Sequence, residues 1–74
     1  MNKFTFPIVI EKDEDGYFVF CPLIQGCYTQ GDSYEEAMEN IEDAIRLHLE
    51  DLLANNEPIP SVEMISLATL EVQV

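Results

Sequence analysis

The stretch GCYTQGDSYEEA, Gly26 to Ala37, decides how this chain folds. Two glycines, a hydroxyl residue and a helical pattern behind them give it the outline of a phosphate-binding loop. Such a loop needs a lysine after its second glycine, to reach the terminal phosphates while backbone N–H groups cradle the others. Asp32 stands there instead, and Lys3, Lys12 and Arg46 are the only cations of the chain. A carboxylate at that point repels phosphate, so the stretch is read as a strand end and a helix start.

Ser33 and Glu36 form an S-x-x-E capping box, in which the serine oxygen takes an orphan amide and the glutamate returns the favour. Asp32, Glu35, Glu36 and Glu39 add negative charge at the positive end of the helix dipole. The helix predicted from Ser33 to Ala54 carries Ala37, Ile41, Ala44, Ile45, Leu49 and Leu52 on one stripe, with Met38 and Leu53 on its border. Glu35, Glu39, Glu42, Asp43, Arg46 and Glu50 fill the opposite face. Asn55 and Asn56 can end the helix, and Pro58 and Pro60 prevent its continuation.

Upstream of the helix the period changes to two. Phe4, Phe6, Ile8 and Ile10 alternate with Thr5, Pro7, Val9 and Glu11, the pattern of a strand with one buried side. Pro7 cannot donate to a ladder, which points to an edge position or a bulge. DEDG, Asp13 to Gly16, reads as a hairpin tip, and YFVFC, Tyr17 to Cys21, as the returning strand. A three-residue loop of Glu14, Asp15 and Gly16 would set Ile10 opposite Phe20 and Lys12 opposite Phe18. PLIQG is a connector, and Cys27 to Gln30 a short third strand ended by Gly31. After the helix, Leu70, Val72 and Val74 alternate with Glu71 and Gln73 as a final strand, parallel to the third and most simply beside the first. The predicted fold is α+β over residues 1–74, a single domain. Its order is strand-strand-strand-helix-strand, with one long helix on one face of a single sheet.

Composition narrows the function. The 74 residues carry 15 acidic and three basic side chains, a formal net charge of -12, which opposes nucleic acid and anionic membranes and favours a basic protein partner. MNKFTFPIVI lacks the cleavage site of an export signal, so a cytoplasmic location with reduced cysteines is expected. Cys21 and Cys27 have no zinc-ligand spacing, and His48 would bring the set to three, so no metal is expected. Glu11-x-Asp13-x-Asp15-Gly16 matches the first half of a calcium loop, but its twelfth position is Pro22 in place of a bidentate glutamate. His48, inside the apolar stripe, is read as a packed residue with one hydrogen-bonded nitrogen; no third residue would orient it as a catalytic base. No catalytic residue and no cofactor is expected.

EKDEDGY in the hairpin, PLIQGC in the connector and TQGDSYEEA at the helix start resemble the HicB family of type II antitoxins, over Phe4 to about Pro60. The resemblance implies a partial ribonuclease H-like fold. It also implies a partner, a small basic HicA-type toxin that cleaves mRNA and has a double-stranded-RNA-binding-domain-like fold, whose active site the antitoxin would mask. Longer members continue into a helix-turn-helix or ribbon-helix-helix domain that binds their operator. This sequence stops at Val74, and direct nucleic-acid binding is not expected of it. The ribonuclease outline raises the question of nuclease activity, which needs converging carboxylates. The first strand offers Phe, Ile and Val at its centre, and the helix acids point away from the sheet, so the fold is read as emptied of catalysis.

Two surfaces are therefore expected to matter. Toxin contacts are assigned to Asp13, Glu14 and Asp15 at the tip and Glu35, Glu39, Glu42 and Glu50 on the helix, with an exposed Tyr28 as anchor. Self-association, as a dimer or tetramer, is assigned to the sheet face away from the helix, expected to carry Thr5, Val9, Tyr17, Val19 and Cys21. The alternative to an antitoxin is a self-assembling scaffold of the same fold without a toxin.

Overall fold

The computed structural model describes residues 3–74. Met1 and Asn2, which open the stretch read against an export signal, lie outside them. Strands β1 (Val9–Asp13), β2 (Gly16–Phe20) and β3 (Tyr28–Gly31) form one antiparallel sheet in the order β1-β2-β3, and helix α1 (Tyr34–Ala54) follows. The α+β architecture is thus that of three strands and one long helix. The helix packs on β3 and β2, and none of its Cα atoms comes within 8 Å of a β1 Cα.

The helix start follows the capping logic with one change. Ser33 is extended (φ -135°, ψ 165°), and its Oγ accepts from the Glu36 N–H at 3.1 Å. Glu36 Oε1 returns to the Asp32 N–H at 3.3 Å, one residue before the cap. Ser33→Ala should lower stability by about 1 kcal/mol in urea denaturation; an unchanged midpoint would leave the helix start to packing alone. At the other end Asn56 is left-handed (φ 54°), its N–H donates to Leu53 O at 3.2 Å, and the Glu57 N–H donates to Leu52 O at 2.9 Å. That pair of bonds is a Schellman closure, which asparagine tolerates better than most residues.

The hairpin corrects the expected register by one residue. Asp13 is opposite Gly16, Ile10 opposite Val19 and Val9 opposite Phe20, so only Glu14 and Asp15 lie in the loop. Asp13 Oδ1 accepts the Asp15 N–H at 2.8 Å, tightening the turn, and Gly16 takes φ 131°, a conformation that L side chains rarely adopt. A one-residue slip exchanges the faces of a strand. Val19 and Cys21 consequently point beneath the helix, and Phe18 and Phe20 point away from it.

The core is Val19, Cys21, Ile24, Cys27, Ala37 and Ile41, with Ile8, Ile10, Leu23 and Ile45 among the half-buried residues packed on it. The connector is folded inward: the Cys21 N–H donates to Cys27 O at 3.0 Å, and the Cys27 N–H to Ile24 O at 3.2 Å. Those bonds bury Ile24 from a segment whose sequence reads as a loop.

Two further expectations change. Regular pairing begins at Val9, not at Phe4, because Pro7 has no N–H to offer a ladder. The final strand does not form: Leu70, Val72 and Val74 are exposed, and residues 57–74 contain no helix or strand. Alternation shows that a segment can present an apolar side, but it does not supply the edge on which that side is buried.

Candidate functional site

The face of the sheet opposite α1 is aromatic. Direct partners in adjacent strands share a face, so Val9, Phe20 and Tyr28 align across β1, β2 and β3, with Glu11, Phe18 and Gln30 in the next row. The Phe18 ring centroid lies 5.9 Å from that of Tyr28 and 6.1 Å from that of Phe20. Phe18 is 39% exposed and Tyr28 63%, so the cluster is open to solvent. Two shallow concavities, of 420 and 300 Å³, share Phe18 and Tyr28 as walls.

An acidic groove adjoins this face at the hairpin tip. It encloses 610 Å³ and is lined by the carboxylates of Glu11, Asp13, Asp15, Asp32 and Glu36, with Lys12 as its one cation and Tyr17 and Phe18 in its wall. Lys12 Nζ sits 5.8 Å from the Tyr17 ring centroid, a cation–π distance, and Tyr17 meets Tyr34 edge-on with centroids 6.3 Å apart. The groove opens beside the N-terminus of α1, whose positive end is already occupied by the capping serine and by Glu35 and Glu36 in its first turn.

The structure brings some of the expected residues together and separates others. Asp13 and Asp15 enter the groove, and Glu14 stands exposed at the tip outside its lining. Tyr28 belongs to the aromatic face. Glu35, Glu39, Glu42 and Glu50 are exposed on α1 and line no part of the groove; Glu42 is held by Arg46 at 3.1 Å, with Asp43 at 2.8 Å on the other side of the guanidinium. Of the residues expected on the open sheet face, Val9 is there. Val19 and Cys21 lie in the core, Tyr17 turns toward the helix, and Thr5 precedes the first strand. Phe18, Phe20, Glu11, Asp32 and Glu36 are members that the sequence reading did not assign. The period-two pattern contained the aromatic pair, displaced by the one-residue error in register.

Cys21 and Cys27 are free and buried. Burial, with a smaller contribution from the neighbouring Cys21, pushes the Cys27 thiol above its ordinary pKa, the opposite of what a nucleophile needs. Native Cys27 should therefore alkylate at pH 8 at least about tenfold more slowly than in the unfolded chain; equal rates would mean an open, activated thiol. His48 Nδ1 lies 2.9 Å from the Ala44 carbonyl, the geometry of a donor bond to the preceding helical turn. No group of His, Cys, Asp or Glu side chains among the described residues is arranged to hold a metal ion, and no described helix is long and apolar enough to cross a membrane.

Comparison with known proteins places this geometry. A family profile described as HicB-like antitoxin of a bacterial toxin–antitoxin system matches residues 6–73. A UPF0150 protein of Helicobacter pylori is 50% identical over 64 residues, covering 86% of this chain and 89% of its own. Antitoxin HicB 1 of Photorhabdus laumondii is 43% identical over 61 residues, 81% of this chain, which spans only 39% of that longer protein. Among solved structures, a chain of the HicA3 and HicB3 toxin–antitoxin complex superposes with a TM-score of 0.63 at 32% identity, over 81% of this chain and 70% of that one. The chain belongs to the HicB-like antitoxin family of bacterial toxin–antitoxin systems.

Proposed function

We propose that this chain is an antitoxin that binds a small basic HicA-type toxin and masks its RNA-cleaving site, without catalytic activity, cofactor or direct nucleic-acid binding of its own, in the cytoplasm. The observation that carries the reading is the match, at 32% identity, to a chain from a toxin–antitoxin complex. Two physical features support it. A net charge of -12 attracts a cationic protein over long range and repels RNA and DNA. The aromatic face beside the acidic groove joins large apolar anchors to a charged rim, the usual composition of a protein interface.

In this reading Glu11, Asp13, Asp15 and Asp32 receive lysine or arginine side chains of the toxin, and Phe18 and Tyr28 fill apolar depressions beside them. Glu14 and the helix acids Glu35, Glu39, Glu42 and Glu50 act at longer range, speeding encounter. Co-expression tests it. A small Lys/Arg-rich protein is expected to be encoded beside this chain; it should arrest growth alone, and growth should return, with a co-purifying complex, when this chain is present. A toxic neighbour that this chain neither binds nor silences would remove the antitoxin reading.

The second reading, a self-assembling protein of the same fold with no toxin, is favoured by the exposed apolar residues of the C-terminal segment, Leu67, Leu70, Val72 and Val74. It predicts assembly without any basic partner.

A further inference from the structure

Cys21 and Cys27 stand opposite each other where the sheet ends. β2 and β3 pair Phe20 with Tyr28, and the next pair outward in that register is Cys21 with Cys27. One ladder bond joins them, from the Cys21 N–H to Cys27 O at 3.0 Å, while the Cys27 N–H turns away to Ile24 O at 3.2 Å. Directly opposed residues present their side chains on the same side of a sheet. Both thiols are free, each cysteine is 2% exposed, and both belong to the core with Val19.

The spacing suits a covalent bond. Opposed residues of a hydrogen-bonded antiparallel pair have Cα atoms about 5.5 Å apart, within the roughly 4.4–6.8 Å that a disulfide spans. Their Cβ atoms, about 4.5–5.5 Å apart, have to close by about 1 Å to reach the disulfide value. The connector has room to yield that much, because Pro22, Gln25 and Gly26 are exposed and nothing lies within 4 Å of a Cβ built on Gly26. Access comes from the 420 Å³ concavity at the end of the aromatic face, which has both cysteines in its wall. A small solute in it lies against the pair.

We propose that Cys21 and Cys27 form a redox pair, which hydrogen peroxide converts into an intramolecular disulfide that staples the end of the β2–β3 ladder. One thiolate attacks a peroxide oxygen, breaking the O–O bond, and becomes a sulfenic acid as water leaves; the second thiol then attacks that sulfur and expels its hydroxyl as a second water. Two electrons pass from the sulfurs to the peroxide, so no further reactant is needed. A thiol held opposite the sulfenic acid favours this closure over further oxidation. The burial that slows alkylation also slows the first attack, and it shelters the finished disulfide from exchange with other thiols. The cross-link encloses residues 22–26, from which Ile24 is held in the core. Disulfides of reducing compartments are typically transient and redox-sensing, and a chain stabilised by peroxide fits that use. The pair works whether or not a toxin is bound.

Differential alkylation of the full chain tests the proposal. The reduced, folded protein is treated with hydrogen peroxide and then unfolded in N-ethylmaleimide, to block free thiols, and dimedone, to cap sulfenic acid. Dithiothreitol next opens any disulfide for a second alkylating label. Both cysteines should take the second label, on a chain that runs as a monomer in non-reducing electrophoresis at every protein concentration. Monomeric Cys21→Ala and Cys27→Ala chains should take none. The oxidised monomer should also have a urea midpoint higher by roughly 1 M than the reduced chain, since a closed loop restricts the unfolded state. Thiols that all remain open to the first label, a disulfide found only between chains, or an oxidised monomer no more stable than the reduced one would each overturn the proposal.

Discussion

Replacing Gly31 by alanine should destabilise the fold by about 3 kcal/mol or more, the upper end of what overpacking a well-filled site costs. A Cβ built there would lie 2.6 Å from the Ala37 amide nitrogen and 3.0 Å from its Cα. Both atoms belong to the backbone of α1, so no side chain can turn aside. The strand end and the first helical turn would have to separate, opening the core at Ala37 and Val19, which are fully buried. A domain of this size has a total stability of roughly 4–11 kcal/mol, so the substitution removes a large share of it. The urea midpoint should fall by about 2–3 M for an m-value near the low end for small proteins. Gln30→Ala, at the exposed neighbouring position, should shift it far less. A Gly31→Ala chain with the parental midpoint would mean that strand and helix are not in close contact at this point.

The same glycine shows what a single sequence can disclose. Gly31, Asp32 and Ser33 carry a local message, a turn and a cap, and that message was legible because its partners lie within a few residues. The helix was legible for a related reason: Ala37, Ile41, Ala44 and Ile45 repeat at helical spacing, and the structure packs all four on the core. The hairpin register was not legible. It depends on whether Gly16 belongs to the loop or faces Asp13, and both choices satisfy the residue preferences of a turn. The backbone position of one glycine thus decided whether Phe18 and Phe20 or Val19 and Cys21 entered the core. The last strand failed differently: Leu70, Val72 and Val74 do alternate with polar residues, but the segment forms no strand, because alternation does not supply a partner. A candidate site built on faces inherits such errors, which explains why Asp13, Asp15 and Tyr28, chosen without reference to a face, line the groove and the aromatic face while Phe18 was not assigned.

Phe18→Ala combined with Tyr28→Ala should weaken toxin binding by about 100-fold or more, if the aromatic face is the anchor of the interface. Truncating a central aromatic residue typically costs ~2 kcal/mol or more, and two neighbours give a combined loss in that range even when they are not additive. The folded chain should tolerate the change, because both rings are exposed and neither belongs to the buried core. Reversing Asp13, Glu14 and Asp15 to lysine should act on a different step. Charges at a rim chiefly set the association rate, so the triple variant should bind more slowly and with a flatter dependence on salt, its dissociation rate moving less. Surface plasmon resonance against the purified basic partner, over a range of ionic strengths, reads both effects. An unchanged affinity in the double aromatic variant would move the anchor off the sheet face, and leave the exposed acids of α1 as the surface to examine.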